Sequence, residues 1–226
     1  MHTVSSTYST IISGPHEAEW KVDINGVPHA DIISMEINQE AFSKNASVGS
    51  AISADMKLTM VKPTEEIPRM AMVEPFVRIT NGVLTSEWLP KGKFFIDTRS
   101  ENRSNENVQQ LTIHAYDAML KAEQDFPLDP LPATDLQVVT LISGIMGVDL
   151  DEYISSQITN GYTVPLSTYS CRELLRDIAA AYGGAFIVDD FGHLRLVQLS
   201  GYPAETNYLI DGAGFAITFG GDRILV

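Results

Sequence analysis

The chain has 226 residues, of which 44% are hydrophobic and 19% are charged, a composition that is typical of globular proteins and excludes extensive disorder. Its formal net charge of −14 argues against stable binding of nucleic-acid phosphates, which requires clustered Lys and Arg, and against binding to anionic membranes. No apolar run approaches the roughly 20 residues that span a bilayer, and the first residues lack the basic start and apolar core of a signal peptide.

Six short strands are predicted between residues 16 and 116. Asn25-Gly26 predicts a tight hairpin turn between a strand over 16–25 and a return strand over Ile32–Asn38. The first strand alternates between apolar and polar side chains, with Ala18, Trp20, Val22 and Ile24 on one face. The other strands are predicted over 53–61, 76–80, 94–98 and 108–115. Short strands joined by polar or Gly/Pro turns are typical of a small barrel or sandwich, so residues 1–116 are predicted to form a β-barrel-like domain.

Two polar segments, residues 43–49 and 99–107, interrupt this domain. Both are predicted to be solvated loops, with the alternative that they are contact segments that become ordered in an assembly. Trp88 lies in a polar loop beside Pro90. It is predicted to anchor that loop, and the alternative is an exposed contact residue.

Helical patterns begin at Asp117, which is predicted to cap a short helix over Ala118–Glu123. A Pro-rich connection then leads to a helix that Thr134 or Asp135 caps and that Gly147 ends. The apolar positions of this helix are Leu136, Val139, Ile142 and either Ile145 or Met146. A strand and turn region is predicted over residues 153–164.

A second helix is predicted after Ser170, which can form a capping box with Glu173. Gly183-Gly184 is predicted to end this helix in the left-handed conformation. A strand follows, and residues 189–192 form the turn that connects it to its partner strand at 194–197. The apolar face of the helix contains Leu174, Leu175, Ile178 and Ala181. The strand between this helix and the turn has Phe186 and Val188 on its apolar face. Residues 117–198 are therefore predicted to form a compact α+β domain with two helices on a small sheet.

The last segment, residues 199–226, contains predicted strands at 217–219 and 224–226 and stops on apolar residues. An unpaired apolar strand is a liability for a free domain, so we expect the chain to be part of a longer protein. Alternatively, the last strand pairs with the first barrel. The fold class predicted for the whole chain is α+β.

Residues suited to catalysis or metal binding are present but scattered. The single cysteine, Cys171, excludes an intrachain disulfide and a cysteine-based metal cluster. It is predicted to be a buried structural thiol; the alternative is a nucleophile whose pKa the nearby helix N-terminus lowers. The histidines, which form no HExxH motif or triad-like order, are His2, His16, His29, His114 and His193.

Neighbouring carboxylates occur in polar turns, without the apolar surroundings that raise the pKa of one member of a catalytic pair. They are Glu65-Glu66, Asp149 with Asp151 and Glu152, and Asp189-Asp190. The glycines lie at turns and form no phosphate-binding pattern. The sequence therefore predicts no catalytic residue, no metal site and no cofactor.

Four motifs resemble, in order and spacing, elements of one family of bacteriophage proteins. They are SEWLP at 86–90, KGKFFID at 91–97, LTIHAYDAMLK at 111–121, and YSCRELL…IA…GG at 169–184 with the GHLRL hairpin strand at 192–196. The family is the tail-tip hub, or tail-associated protein, which is similar to the baseplate hub of contractile tails.

This resemblance implies a structural virion protein at the tail tip, made in the bacterial cytoplasm, and not an enzyme. It implies a homotrimeric ring that contacts the distal tail protein or tail tube, the tape measure, and tip fibre or spike proteins. It also implies that the strands of residues 199–226 return to the barrel layer or start a second barrel. An acidic ring would also let DNA pass without adhering. The alternatives are a tail-associated cell-wall hydrolase, an activity that in this family resides in C-terminal extensions, and a carbohydrate-binding module, for which Trp88 is the candidate platform.

Overall fold

The computed structural model describes residues 4–40, 48–103, 108–127, 134–159, 161 and 169–199, and the backbone of 218–219 and 222–223. The fold is α+β, as predicted, with two main sheets. Within the described residues, no helix is long and apolar enough to cross a membrane. The helices are α1 (Ser6–Ile12), α2 (Asp135–Met146), α3 (Ile154–Gln157), α4 (Cys171–Ala181) and a 3₁₀ helix (Ala118–Glu123).

The strands, in chain order, are β1 (Glu17–Ile24), β2 (Val27–His29), β3 (Ile32–Asn38), β4 (Ser50–Ala51), β5 (Asp55–Val61), β6 (Met72–Thr80), β7 (Leu89–Pro90), β8 (Phe94–Arg103), β9 (Gln109–Asp117), β10 (Asp149–Leu150), β11 (Gly184–Val188), β12 (His193–Gln198), β13 (Thr218–Phe219) and β14 (Asp222–Arg223). The first sheet is antiparallel in the order β2-β1-β6-β8-β9-β5-β3, and β7 pairs with β6. Among the described residues the pairings do not close into the predicted barrel, because β2 and β3 remain the two ends of the path.

The hairpin turn at Asn25-Gly26 is confirmed, but the predicted return strand is wrong. Both turn residues have positive φ, 49° and 79°, as a two-residue hairpin turn requires. Such a turn places Val27 directly opposite Ile24, so the return strand is β2. The predicted strand β3 exists with the expected bounds, but it pairs with β5 at the other end of the sheet.

Alternation predicts the core of the first sheet well where a strand lies within the body of the sheet. Ala54, Met56, Leu58 and Met60 are all buried, as are Val22 and Ile24 at the end of β1. Trp20 shares their face but is 43% exposed. The reason is that β6 pairs with β8 only at Met72 and Val73, so the first half of β1 extends beyond β8.

The polar segment 99–107 is not wholly a loop. Residues 99–103 continue β8 and pair with β9 as far as Arg103 opposite Gln109, whereas 104–107 lie outside the described residues. Strand β6 likewise begins four residues before its predicted start, at Met72. The other polar segment, 43–49, is described only at Val48 and Gly49.

The second sheet has the order β10-β12-β11-β4, and β4 comes from the part of the chain that precedes β5. Strand β4 runs parallel to β11, and Gly49 N and Ile52 N donate to the carbonyls of Gly184 and Phe186 on either side of it. Gly49 has a φ of +77°, and a Cβ there would lie 2.8 Å from the Cβ of Ala180. Glycine is therefore required where this segment crosses α4.

The predicted helix caps are confirmed. Thr134 and Gln137 form a capping box at the start of α2, and Gly147 ends it with a φ of 70°. Ser170 and Glu173 form the capping box of α4, and Gly183 follows with a φ of 65°. The buried face of α2 includes Val138 and Met146 and leaves Leu136 and Ile145 partly exposed, so it is shifted slightly from the predicted positions.

The region predicted as strand and turn over 153–164 contains the short helix α3 instead, and strand β10 precedes it and pairs in parallel with β12. Residues 160 and 162–168 lie outside the described residues, as do 128–133 of the Pro-rich connection. In the last segment, β13 pairs with β14. The predicted strand at 224–226 lies outside the described part.

Two hydrophobic cores meet at β8. Phe94 is buried in the core of the first sheet, whereas Phe95 packs against the core that α2, α4 and the second sheet share. The ammonium of Lys121 lies 3.8 Å from the Phe95 ring centroid and donates to Met146 O at the end of α2. Burial lowers the pKa of Lys121.

Candidate interaction surfaces

The histidines lie apart in the described structure. His16 and His114 are exposed, His29 lies on β2, and His2 is outside the described residues. His193 Nδ1 lies 3.5 Å from Asp189 Oδ2. Nowhere in the described ranges do three His, Cys, Asp or Glu side chains converge as metal ligands.

Two of the carboxylates singled out in the sequence, Asp189 and Asp151, stabilise turns. Asp189 Oδ1 accepts hydrogen bonds from the N–H groups of Phe191 and His193, both at 2.9 Å. Asp190 Oδ2 lies 3.4 Å from Lys91 Nζ. Asp151 Oδ1 accepts from Tyr153 N at 2.9 Å. The other members of the predicted groups are all exposed at the surface. They are Glu65, Glu66, Asp149 and Glu152.

The predicted structural role of Cys171 agrees with its environment. Its side chain is fully buried in the second core, at 0% exposure. Burial raises the pKa of the thiol, so the effect of the helix N-terminus is outweighed. A thiol that is buried and protonated is a poor nucleophile.

The most buried hydrogen-bonded carboxylate at the junction of the two sheets belongs to Asp117, which is 3% exposed. It accepts hydrogen bonds from Ser53 Oγ at 2.7 Å, Ala54 N at 2.9 Å and Met119 N at 3.0 Å. Burial raises its pKa, against the opposing effect of these hydrogen bonds and of Arg172. The sequence predicts its capping role, but the contacts with Ser53 and Ala54 span more than sixty positions and carry no local signal.

A ribbon projects from the first sheet and carries the chain's two tryptophans. We define the ribbon as β1 and residues 74–90, which comprise the end of β6, the following turn and β7. Helix α1 packs against β6 and buries Ile11. At its N-cap, Ser5 N donates a hydrogen bond to Glu87 Oε1 at 2.7 Å. Helix α1 is not predicted from the sequence.

Two cationic side chains of the ribbon lie near the Trp88 ring. The Arg78 guanidinium lies 4.4 Å from the Trp88 ring centroid, and Lys21 Nζ lies 5.5 Å from it and 4.4 Å from the Phe76 centroid. Glu19 binds Arg78 at 2.6 Å. These contacts agree with Trp88 as a loop anchor, because Arg78 lies over one face of its ring.

The tip of the ribbon is apolar and exposed. Val83 is 89% exposed and Leu84 is 45% exposed in the turn between β6 and β7. Gly82 has a φ of +82° in this turn. Val83 and Leu84 therefore form a small exposed apolar surface at the end of the ribbon.

The fold is similar to that of two solved tail proteins. It matches the 43 kDa tail protein of prophage MuSo2 from Shewanella oneidensis with a TM-score of 0.58 and 14% identity, over 82% of this chain and 57% of that one. It matches the tail protein from Neisseria meningitidis MC58 with a TM-score of 0.53 and 12% identity, over 88% of this chain and 53% of that one. The chain shares their fold.

This chain spans little more than half the length of either tail protein, as the matched shares of 57% and 53% show. Neither a protein-family model nor a curated protein sequence matches it. The similarity therefore defines the architecture of the chain.

Proposed function

We propose that this chain is a structural protein of a bacteriophage tail, located at the tail tip, where it acts as the hub that joins the tail tube to the tip. The observation that carries the proposal is the fold, which two tail proteins share over 82% and 88% of this chain. The ordered hub-like motifs of the sequence support the tail tip in particular.

The proposed mechanism is geometric. Three copies form a ring to which residues 1–116 contribute the tube-like part, 117–198 a supporting α+β part, and 199–226 strands that continue toward the barrel layer or a second barrel. The distal tail protein or tail tube and the tape measure bind on one side, and fibre or spike proteins on the other. The acidic chain does not retain DNA during its passage.

If the full-length gene product forms the proposed ring, its mass in solution should be that of a trimer. We expect light scattering to show a trimer at about ten micromolar, a concentration suited to a standard-sized interface. Negative-stain images should show a ring. A stable monomer or dimer at this concentration contradicts the proposed function.

The hydrolase alternative predicts a different result. We expect the purified chain to give no clearing zone in a peptidoglycan zymogram, because its carboxylates stabilise turns and its thiol is buried. A bacterial lysozyme run alongside serves as the positive control. A clearing zone that one point substitution abolishes would show that the chain is an enzyme.

A further inference from the structure

Residues 91–93, directly after β7, connect the ribbon to the second sheet. Lys91 N donates a hydrogen bond to Pro75 O at 2.8 Å, which continues the pairing of β7 with β6. The next residue, Gly92, donates its N–H to Asp190 O at 3.1 Å. Asp190 lies in the turn between β11 and β12. Two successive residues therefore bind the ribbon on one side and the second sheet on the other.

Side chains add to this connection. The ammonium of Lys91 lies 3.4 Å from Asp190 Oδ2, and the Asp190 side chain is only 18% exposed. The stem of Lys93 lies over Gly192, where a Cβ would come within 2.9 Å of Lys93 Cδ. Two lysines thus meet a turn that contains two aspartates, Asp189 and Asp190. We call residues 91–93 and 189–192 together the clasp.

Beyond its base, the ribbon is paired with little else. Strand β6 pairs with β8 only at Met72 and Val73, and β2 pairs with β1 only along Val22–Ile24. Within the described part of the chain, the strands of residues 74–90 pair only inside the ribbon. Helix α1 is attached to the ribbon itself, through β6 and Glu87. A segment with so few neighbours bends and twists more easily than the body of a sheet.

We propose that the clasp is a conformational device that fixes the direction of the ribbon relative to the two cores and frees it when the clasp opens. Its ion pair and hydrogen bond lie at a partly exposed site, where each contributes little to stability. The clasp can therefore open while both cores stay folded. The freed ribbon pivots where β6 leaves β8, after Val73, and where the chain returns at Lys91. This inference does not depend on the proposed function.

Charge variants of the clasp test this proposal. Asp190→Lys places two ammonium groups against each other and should open the clasp, whereas the double substitution of Lys91→Glu with Asp190→Lys exchanges the charges and should close it again. Lys62→Glu is the matched control, because it disrupts another partly exposed ion pair of the first sheet, Lys62 with Glu101 at 2.7 Å, outside the clasp. Circular dichroism establishes that each variant is folded, and Asp190→Ala replaces Asp190→Lys if that variant does not fold.

The distance between the ribbon tip and the first sheet measures the opening. Spin labels are placed at Val83→Cys, where the native side chain is 89% exposed, and at His114→Cys, which is exposed on β9. Cys171 is 0% exposed and does not compete for the label. Pulsed electron paramagnetic resonance should give a narrow distance distribution with the native clasp. Asp190→Lys should widen it by at least about twofold, because contacts of this strength keep the ribbon closed only while they are intact.

The charge exchange separates the clasp from a general loss of stability. The double substitution should restore the narrow distribution, and Lys62→Glu should leave it unchanged. The proposal is wrong if the native clasp already gives the wide distribution, if Asp190→Lys leaves the width unchanged, or if Lys62→Glu widens it equally. A double substitution that stays as wide as Asp190→Lys alone would likewise show that the ion pair does not hold the ribbon.

Discussion

Replacing Phe186 with Ala is expected to lower the free energy of unfolding by about 4 kcal/mol, as for other large-to-small changes of fully buried aromatic residues. Phe186 is 0% exposed on β11, between β12 and β4. Its carbonyl also accepts the hydrogen bond of Ile52 N at 2.9 Å, next to β4. The substitution leaves a cavity where the sheet, α4 and the crossing segment meet.

Denaturant unfolding followed by far-UV circular dichroism measures this loss. Phe191→Ala is the control, because Phe191 lies at the turn of the same hairpin and is 41% exposed. Its loss should cost less than about 1 kcal/mol, as surface substitutions usually do. Equal losses in the two variants would show that the second core is not organised around Phe186.

Replacing Asp117 with Ala should lower the free energy of unfolding by about 3 kcal/mol, because the buried N–H groups of Ala54 and Met119 lose their acceptor. The position lies between the sheets, so the variant should also weaken their coupling. Both tryptophans belong to the ribbon, so their fluorescence reports on the first sheet, whereas circular dichroism reports on both. The two transitions should coincide in the wild type and separate in Asp117→Ala.

The pH dependence supplies an independent check. Burial raises the pKa of Asp117 above its ordinary value of 3.8, so just above this value the folded chain retains a proton that the unfolded chain releases. The corresponding contribution to stability is full below pH 3.8 and is lost as the pH rises through the raised pKa. Asp117→Asn should lack this component. An exposed residue, Asp125, provides the control variant Asp125→Ala, which should match the wild type in stability.

The sequence predicts those features of the fold whose signals are local. Caps such as Ser170 with Glu173 involve residues three apart, and the Asn25-Gly26 turn is determined by two residues. The return strand is mispredicted because β2 has only three residues, too few for an alternation pattern. Strand β4, with two residues, is missed for the same reason.

Other features depend on contacts between distant parts of the chain. Residues 99–103 read as a loop because they are polar throughout, although they pair along β9. The cations around Trp88 come from β1 and β6, so the sequence places this residue in a loop without indicating what contacts it. The ribbon tip likewise cannot be located from the sequence, because only the sheet register shows that β6 extends beyond β8.

The position of Phe94 and Phe95 has a mechanical consequence. Successive side chains of a strand point to opposite faces, so these two neighbours anchor β8 in separate cores. A force applied to the first sheet therefore reaches the second core through the backbone of β8, and also through β9, which continues into the 3₁₀ helix. If the chain serves as the proposed tail hub, strain imposed on the first sheet would reach the helices without any hinge.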